Sequence, residues 1–168
     1  MKLMLINISV LGALALILAG FIFAPRDEIE TRIWIEAAPE RVWALLTDPG
    51  IHASLSPGLR RIEGHFDTGE RLTLEMDSPT GGSLTIRPRV LLAQPARELR
   101  WRGRIWLPRL LDGEHYFKLT PENGGTRLVQ GERFQGVLLW LMDVKQFQPE
   151  FDRMNAALKA HLENGTVP

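Results

Sequence analysis

The chain has 168 residues, 45% hydrophobic and 24% charged, which is the balance of an ordinary globular domain and not of a disordered or fibrous chain. Its 20 basic and 20 acidic residues cancel, so the surplus of positive charge that nucleic-acid binding draws on is missing. There is no cysteine, which excludes thiolate nucleophiles, disulfides, cysteine zinc sites and cysteine-held iron–sulfur clusters.

The first element is apolar. Leu3 to Ala24 carries no charge. At about 1.5 Å rise per residue such a run covers roughly 30 Å, the thickness of a bilayer hydrocarbon core. Residues 1–24 therefore read as a single-pass transmembrane anchor. A cleaved secretory signal is the alternative, but it needs small residues at the last and third-last positions before the cut. A cut after Ala24 has Ile22 there and a cut after Ala19 has Ile17. Lys2 flanks one side, Arg26 and Arg32 the other. A very short tail ahead of a signal-like segment usually stays in the cytoplasm, so the domain is expected on the non-cytoplasmic side. Residues 25–29 read as a linker and 30–164 as the domain.

Thr31 to Ala37 alternates apolar and polar residues, as a strand does. Pro39 then opens a helix with Val42, Leu45 and Leu46 on one face, and Asp48-Pro49-Gly50 stops it. A second short helical stretch covers Ile51 to Leu55. Strands are expected at Arg60–Phe66 and Glu70–Met76. A third covers Ser83–Leu92, with Leu84, Ile86, Val90 and Leu92 on one face, and a fourth covers Glu98–Trp106. The best-defined unit is the hairpin Glu114–Thr120 and Thr126–Phe134 around Asn123-Gly124. That turn puts Leu119 opposite Leu128, Phe117 opposite Gln130, His115 opposite Glu132 and, on the other face, Glu114 opposite Arg133. Past Gly136 the chain reads as helical. Phe147, Phe151, Met154, Leu158 and Leu162 recur at intervals of three and four, one face of an amphipathic helix, with a break at Pro149 and a stop at Asn164-Gly165.

A run of antiparallel strands with one apolar face must be covered, and one long helix is too narrow to fill a broad curved sheet. The expected α+β fold is a helix-grip: a curved antiparallel sheet wrapped around a long C-terminal helix, with a cavity between them. The stretches Ile33 to Trp43, Gly113 to Leu119, Gly125 to Phe134 and Phe151 to Lys159 resemble the SRPBCC superfamily. That superfamily includes START lipid-binding domains and polyketide cyclase/dehydratase-like proteins. The resemblance runs from about Glu30 to Glu163 and carries no fixed catalytic residues. It implies a cavity for a small hydrophobic molecule, of lipid or isoprenoid type, and leaves open whether any reaction of the cyclase/dehydratase kind is catalysed; a protein-interaction module without ligand is the further alternative.

By alternation the cavity wall is Leu72, Leu74, Leu84, Ile86, Val90, Leu99, Trp101, Ile105, Phe117, Leu119, Leu128 and Phe134, with Phe151, Met154 and Leu158 from the helix. A filled core is the plain alternative. His115, Gln130 and Glu132 are the polar residues on that face. A carboxylate beside an imidazole orients it, so His115 and Glu132 could form an acid/base pair or hold a ligand's polar end. They could equally be a structural pair. The opposite face collects Arg87, Arg89, Arg100, Arg102, Arg104, Lys118, Arg127 and Arg133, read as a solvated face neutralised by Glu75, Glu98 and Glu114. The four histidines show no metal-ligand spacing, no cofactor-binding motif is present, and nothing fixes the oligomeric state.

Overall fold

The structure, a computed structural model, describes residues 12, 19–78, 81–105 and 107–165. Most of the expected anchor, Leu3 to Ala24, lies outside the described residues. Among the described residues no helix is long and apolar enough to cross a membrane.

Strand β1 (Arg26–Ile35) is followed by α1 (Pro39–Leu46), α2 (Pro49–Leu55), β2 (Leu59–Glu63), β3 (Thr73–Asp77), β4 (Ser83–Ile86), β5 (Arg89–Gln94), β6 (Glu98–Ile105), β7 (Leu111–Glu122) and β8 (Gly125–Gln135). Two 3₁₀ turns, Val137–Trp140 and Val144–Phe147, lead into α3 (Gln148–Asn164). The α3 helix has proline in its first turn and ends on Gly165, which takes the left-handed conformation at φ 67°.

The central hairpin has the register that its turn dictates. Asn123 and Gly124 both take positive φ (50° and 77°), and Leu119, Phe117, His115 and Glu114 pair with Leu128, Gln130, Glu132 and Arg133. The strand β1 begins earlier than its alternation suggests. Residues 26–29, read as linker, pair in register with β8 from Arg26↔Gln135 onward. Burial of Ile29 fixes this end, where one apolar residue among charges is too thin a pattern to read.

The sheet is not single. Strands β1-β8-β7-β6-β5 form one antiparallel sheet, and β2-β3-β4 form another. The stretch expected to run unbroken from Ser83 to Leu92 splits because Pro88 has no N–H to continue a ladder. Its first half pairs with β3 and its second with β6. Hydrogen bonds from Leu72 N to Pro88 O (3.0 Å) and from Val90 N to Glu70 O (2.9 Å) join the two sheets. A bulge between Val90 and Leu92 then changes the alternation: Val90 pairs with Trp101, but Ala93 rather than Leu92 pairs with Leu99.

Helix α3 lies against the inner face of the larger sheet. Its Lys159 donates to Trp34 O (2.8 Å), and its Glu163 accepts from Glu36 N (2.7 Å). The main core joins Leu72, Leu74, Val90, Leu99, Trp101, Phe117, Leu119, Leu128, Met154 and Leu158, with Ile86 packed against it. A second cluster centres on Ile29, Leu111, Phe134 and Val144, with Ile105 and Phe151 packed against it. Leu84 is only half-buried and belongs to neither, because β4 is an edge strand.

Candidate functional site

The inner face of β6, β7 and β8 presents a polar group set among rings. The pairing of Trp101 with His115 stacks indole on imidazole, with centroids 4.7 Å apart and planes within 4°. Phe117, two residues along β7, and Phe151 of α3 also face the imidazole, with centroids at 4.9 and 5.0 Å. The next strand supplies both polar partners. His115 Nδ1 lies 3.4 Å from Glu132 Oε2, and Nε2 lies 3.2 Å from Gln130 Nε2. One proton arrangement fits both contacts: Nδ1–H donates to the carboxylate and Nε2 accepts from the amide. Glu132 reaches this position because residue 113 is glycine, since a Cβ there would overlap the carboxylate.

The amide of Gln130 is buried and its Nε2 also contacts Met154 Sδ at 3.2 Å. Its Oε1 has no hydrogen-bond partner. Asn155 of α3 is buried as well, and neither end of its amide is paired. Buried polar atoms without partners are uncommon, because each loses its hydration without replacement. Here the unspent hydrogen-bonding capacity lies at Gln130 on the inner face of β8 and at Asn155 on the buried face of α3.

That space is packed in this structure. Trp101, Phe117, Leu99, Leu128, Met154 and Leu158 are all buried and belong to one continuous core, so side chains fill the space at these positions, while Phe134, Ile105 and Phe151 belong to the second cluster and Leu84 to neither. Large flat side chains and a flexible methionine fill the gap that the helix backbone leaves. The depressions found on the surface lie elsewhere. One of about 610 Å³ is lined by charged residues of the outer face, among them Glu28, Arg102, Glu114 and Arg133. Another of about 530 Å³ lies between α2 and β2, around Ala53, Leu59 and Ile62.

Another titratable group faces the same rings. His52 of α2 is buried against Phe66, Trp101 and Phe117, with centroids 5.5 to 5.7 Å away. Burial pushes its pKa down from 6.5 to about 4, opposed by the hydrogen bond of Nδ1 to Leu46 O (2.8 Å) and reinforced by nearby His115. His52 is thus a neutral member of the wall near neutral pH. Sequence reading left His52 unassigned and passed over Asn155. The spacing of Asn155 from Phe151 and Leu158 puts it on the buried face of α3, and that periodicity was available to find it.

The outer face is different in kind. Tyr116, on the opposite side of β7 from His115, is fully buried although it points away from the helix. Its ring lies over Gly131, where any side chain would overlap it, and under Lys118 and Arg133 at 4.9 and 4.8 Å. Its hydroxyl is within hydrogen-bond distance of Glu28 (2.7 Å) and Glu30 (2.8 Å). Burial and these two carboxylates push the phenol pKa well up. The arginines of this face are matched by acids: Arg100 by Glu98 and Glu114, Arg102 by Glu114, Arg127 by Glu122 and Arg133 by Glu28. Of the acids expected to neutralise this face, Glu98 and Glu114 do so and Glu28 and Glu122 are added, whereas Glu75 lies on β3 of the smaller sheet and Arg89 donates to Gly69 O (3.1 Å).

A family described as polyketide cyclase / dehydrase and lipid transport matches residues 26–163. No curated protein sequence matches the chain. Among solved structures, protein CV1439 from Chromobacterium violaceum is similar with TM-score 0.68 and 20% identity, covering 81% of this chain and 96% of that one. Protein MLL2253 from Mesorhizobium loti has TM-score 0.66 and 19% identity, covering 83% and 99%. DynU16, a protein of the dynemicin biosynthetic locus, has TM-score 0.64 and 20% identity over 85% of this chain and 49% of its own. At these identities the likeness is one of fold.

Proposed function

The chain belongs to the polyketide cyclase / dehydrase and lipid transport family, of SRPBCC type, and on that premise we propose that it binds a small hydrophobic molecule of lipid or isoprenoid type between the larger sheet and α3. In this proposal the polar end of the guest meets Gln130, Asn155 and His115, and its apolar part replaces the contacts now made by Met154 and Phe151. The protein is held at a membrane by residues 3–24, with the domain on the non-cytoplasmic side.

The observation that carries the reading is the set of orphaned buried amide atoms, Gln130 Oε1 on the inner face of β8 and both ends of Asn155 on α3. A core selected only for stability would replace them with leucine, because an unpaired buried amide costs about 1–3 kcal/mol. A guest with a hydroxyl, carbonyl or carboxyl end would pair them. Met154 suits the opening step, since an unbranched thioether repacks with little strain.

Native mass spectrometry of the full-length chain, released from lipid nanodiscs, tests this. The expected result is a bound apolar molecule at one copy per chain, lost in a Met154→Trp variant that fills the space. A chain with no retained molecule and no saturable uptake of farnesol, an isoprenoid alcohol, would overturn it.

A second reading is favoured by the His115–Glu132 geometry: an imidazole oriented by a carboxylate and enclosed by rings is equipped for proton transfer. In that case His115→Ala abolishes turnover of the bound molecule while leaving its binding largely intact.

A further inference from the structure

Five large apolar side chains, Ile22, Phe23, Leu107, Trp140 and Leu141, stand exposed at one end of the fold, and among the described residues only Trp34 and Leu91 are exposed elsewhere. Leu141 is 87% exposed, Phe23 77% and Leu107 61%, values more usual for lysine than for residues of this kind. They are tied together by backbone. Arg109, in the β6–β7 loop, donates to Phe21 O at 3.2 Å. Val137 N and Leu138 N donate to Arg109 O and Leu110 O at 3.0 and 3.1 Å, and Gly136 N donates to Pro25 O at 3.2 Å. The indole of Trp140 lies against Gly20, 3.4 Å from where a Cβ would stand.

We infer that this end is a bilayer-docking surface: the β6–β7 loop and the Val137–Met142 turn sink their apolar tips into the same membrane that takes residues 3–24. The occupant is set by the chain itself. The uncharged run Leu3–Ala24 feeds directly into the patch through residues 19–24. A bilayer entered by that run must therefore approach Phe23, Leu107 and Leu141. The polar groups at the border agree with an interface. Trp140 has the amphipathic ring that settles at headgroup level. Arg109 lies over the last carbonyls of the helical turn 19–22, and a cation there also suits the negative end of the helix dipole. Of the acids at the border, Asp112 accepts from Arg109 N through Oδ2 (3.3 Å), while its buried Oδ1 has no hydrogen-bond partner, and Asp143 accepts from Lys145 N (2.9 Å).

Docking in this orientation also has a consequence for the proposed site. The second hydrophobic cluster lies directly beneath the patch, with Leu138, Leu139, Met142, Phe147 and Phe151 packed against it. The ring of Phe151 in turn touches His115. An apolar guest leaving the bilayer would then reach the imidazole by displacing Phe151, without crossing water. The docking inference rests on the anchoring proposed above and not on the ligand.

The absence of cysteine makes the test direct. Full-length Leu107→Cys and Leu141→Cys variants carry a nitroxide label and are reconstituted into vesicles of phosphatidylethanolamine and phosphatidylglycerol. Arg97→Cys, exposed at the far end of β6, is the control. Paramagnetic relaxation by oxygen and by a water-soluble nickel chelate reads depth. Docking gives labels at 107 and 141 with a several-fold higher ratio of oxygen to nickel relaxation than the label at 97. Adding Leu141→Asp should return the label at 107 to the control value, with an unchanged thermal melt. The inference is overturned if the chain inserts but labels at 107 and 141 are as water-accessible as the control, a result that leaves anchoring intact. It is also overturned if label–label distances show a second copy covering the patch. A chain that stays off the vesicles overturns docking and anchoring together.

Discussion

The β7–β8 hairpin buries polar groups on both of its faces, and the two faces differ in how those groups are partnered. Outside, Tyr116 is enclosed by two cations and hydrogen-bonded to two carboxylates, and the arginines around it have acids. Two orphans remain on that face among the described residues: Arg100 Nε, on a side chain whose terminal nitrogens are paired, and Asp112 Oδ1, which lies 3.9 Å from Arg104 Nε. Inside, the rings pack closely, yet Gln130 and Asn155 keep three amide atoms unpaired. A closed network adds stability and does nothing else. A network left open within an apolar wall lowers stability and is the natural place for a guest.

Four measurements break or sharpen this contrast. The largest effect belongs to acid pH. The folded-state pKa of His52 is depressed from 6.5 to about 4, so the unfolded chain binds more protons between those values. Stability is therefore full above about pH 6.5 and falls as pH drops toward 4, by on the order of 3 kcal/mol. Chemical denaturation across that range checks it, with the His52 ring followed by NMR. Next is Gly131→Ala, which drives a methyl group into the Tyr116 ring and the Ile29 carbonyl. A loss of about 2 kcal/mol is expected in urea unfolding, the usual cost of overpacking.

Tyr116→Phe removes the donor that Glu28 and Glu30 share, and should cost about 1.5 kcal/mol. It also has a pH signature. The phenol pKa is raised in the folded state, so its contribution is full below the ordinary tyrosine value of about 10 and declines as pH climbs above it. Because the chain holds a single tyrosine, phenolate absorbance reports this group alone and should appear only with unfolding. The smallest effect is Gln130→Leu. It deletes one orphaned oxygen and one contact to His115, so stability should change by less than about 1 kcal/mol while farnesol uptake falls. A large destabilisation would mean that the inner face is a closed network too.

Much of the fold was legible because local chemistry decided it. Asn123-Gly124 dictated a hairpin register that alternation then confirmed, placing His115 opposite Glu132. Pro149 and Gly165 bounded α3 for the same local reasons. What failed was set at a distance. The break at Pro88 sends β4 and β5 to different partners, and the bulge after Val90 exchanges Leu92 for Ala93 on the inner face. Strand identity could be read there, but strand partnership could not. In the candidate site, the apolar residues and the His115–Gln130–Glu132 set followed from alternation. The packing that closes the space depends on how Trp101, Phe151 and Met154 stack in three dimensions, which periodicity does not encode. Tyr116 was hidden for a related reason: burial on an outer face comes from neighbouring charges and from the missing side chain at Gly131.

The most direct test is to watch both faces of the hairpin while a guest is offered. In NMR spectra of the full-length chain in nanodiscs, farnesol should shift the side-chain amides of Gln130 and Asn155 saturably, together with the His115 ring. The backbone amide of Tyr116 and the Arg133 side chain on the outer face should stay in place. Unmoved amides at Gln130 and Asn155 at saturating farnesol, or equal shifts on both faces, would contradict the claim that the inner face is left open for a ligand.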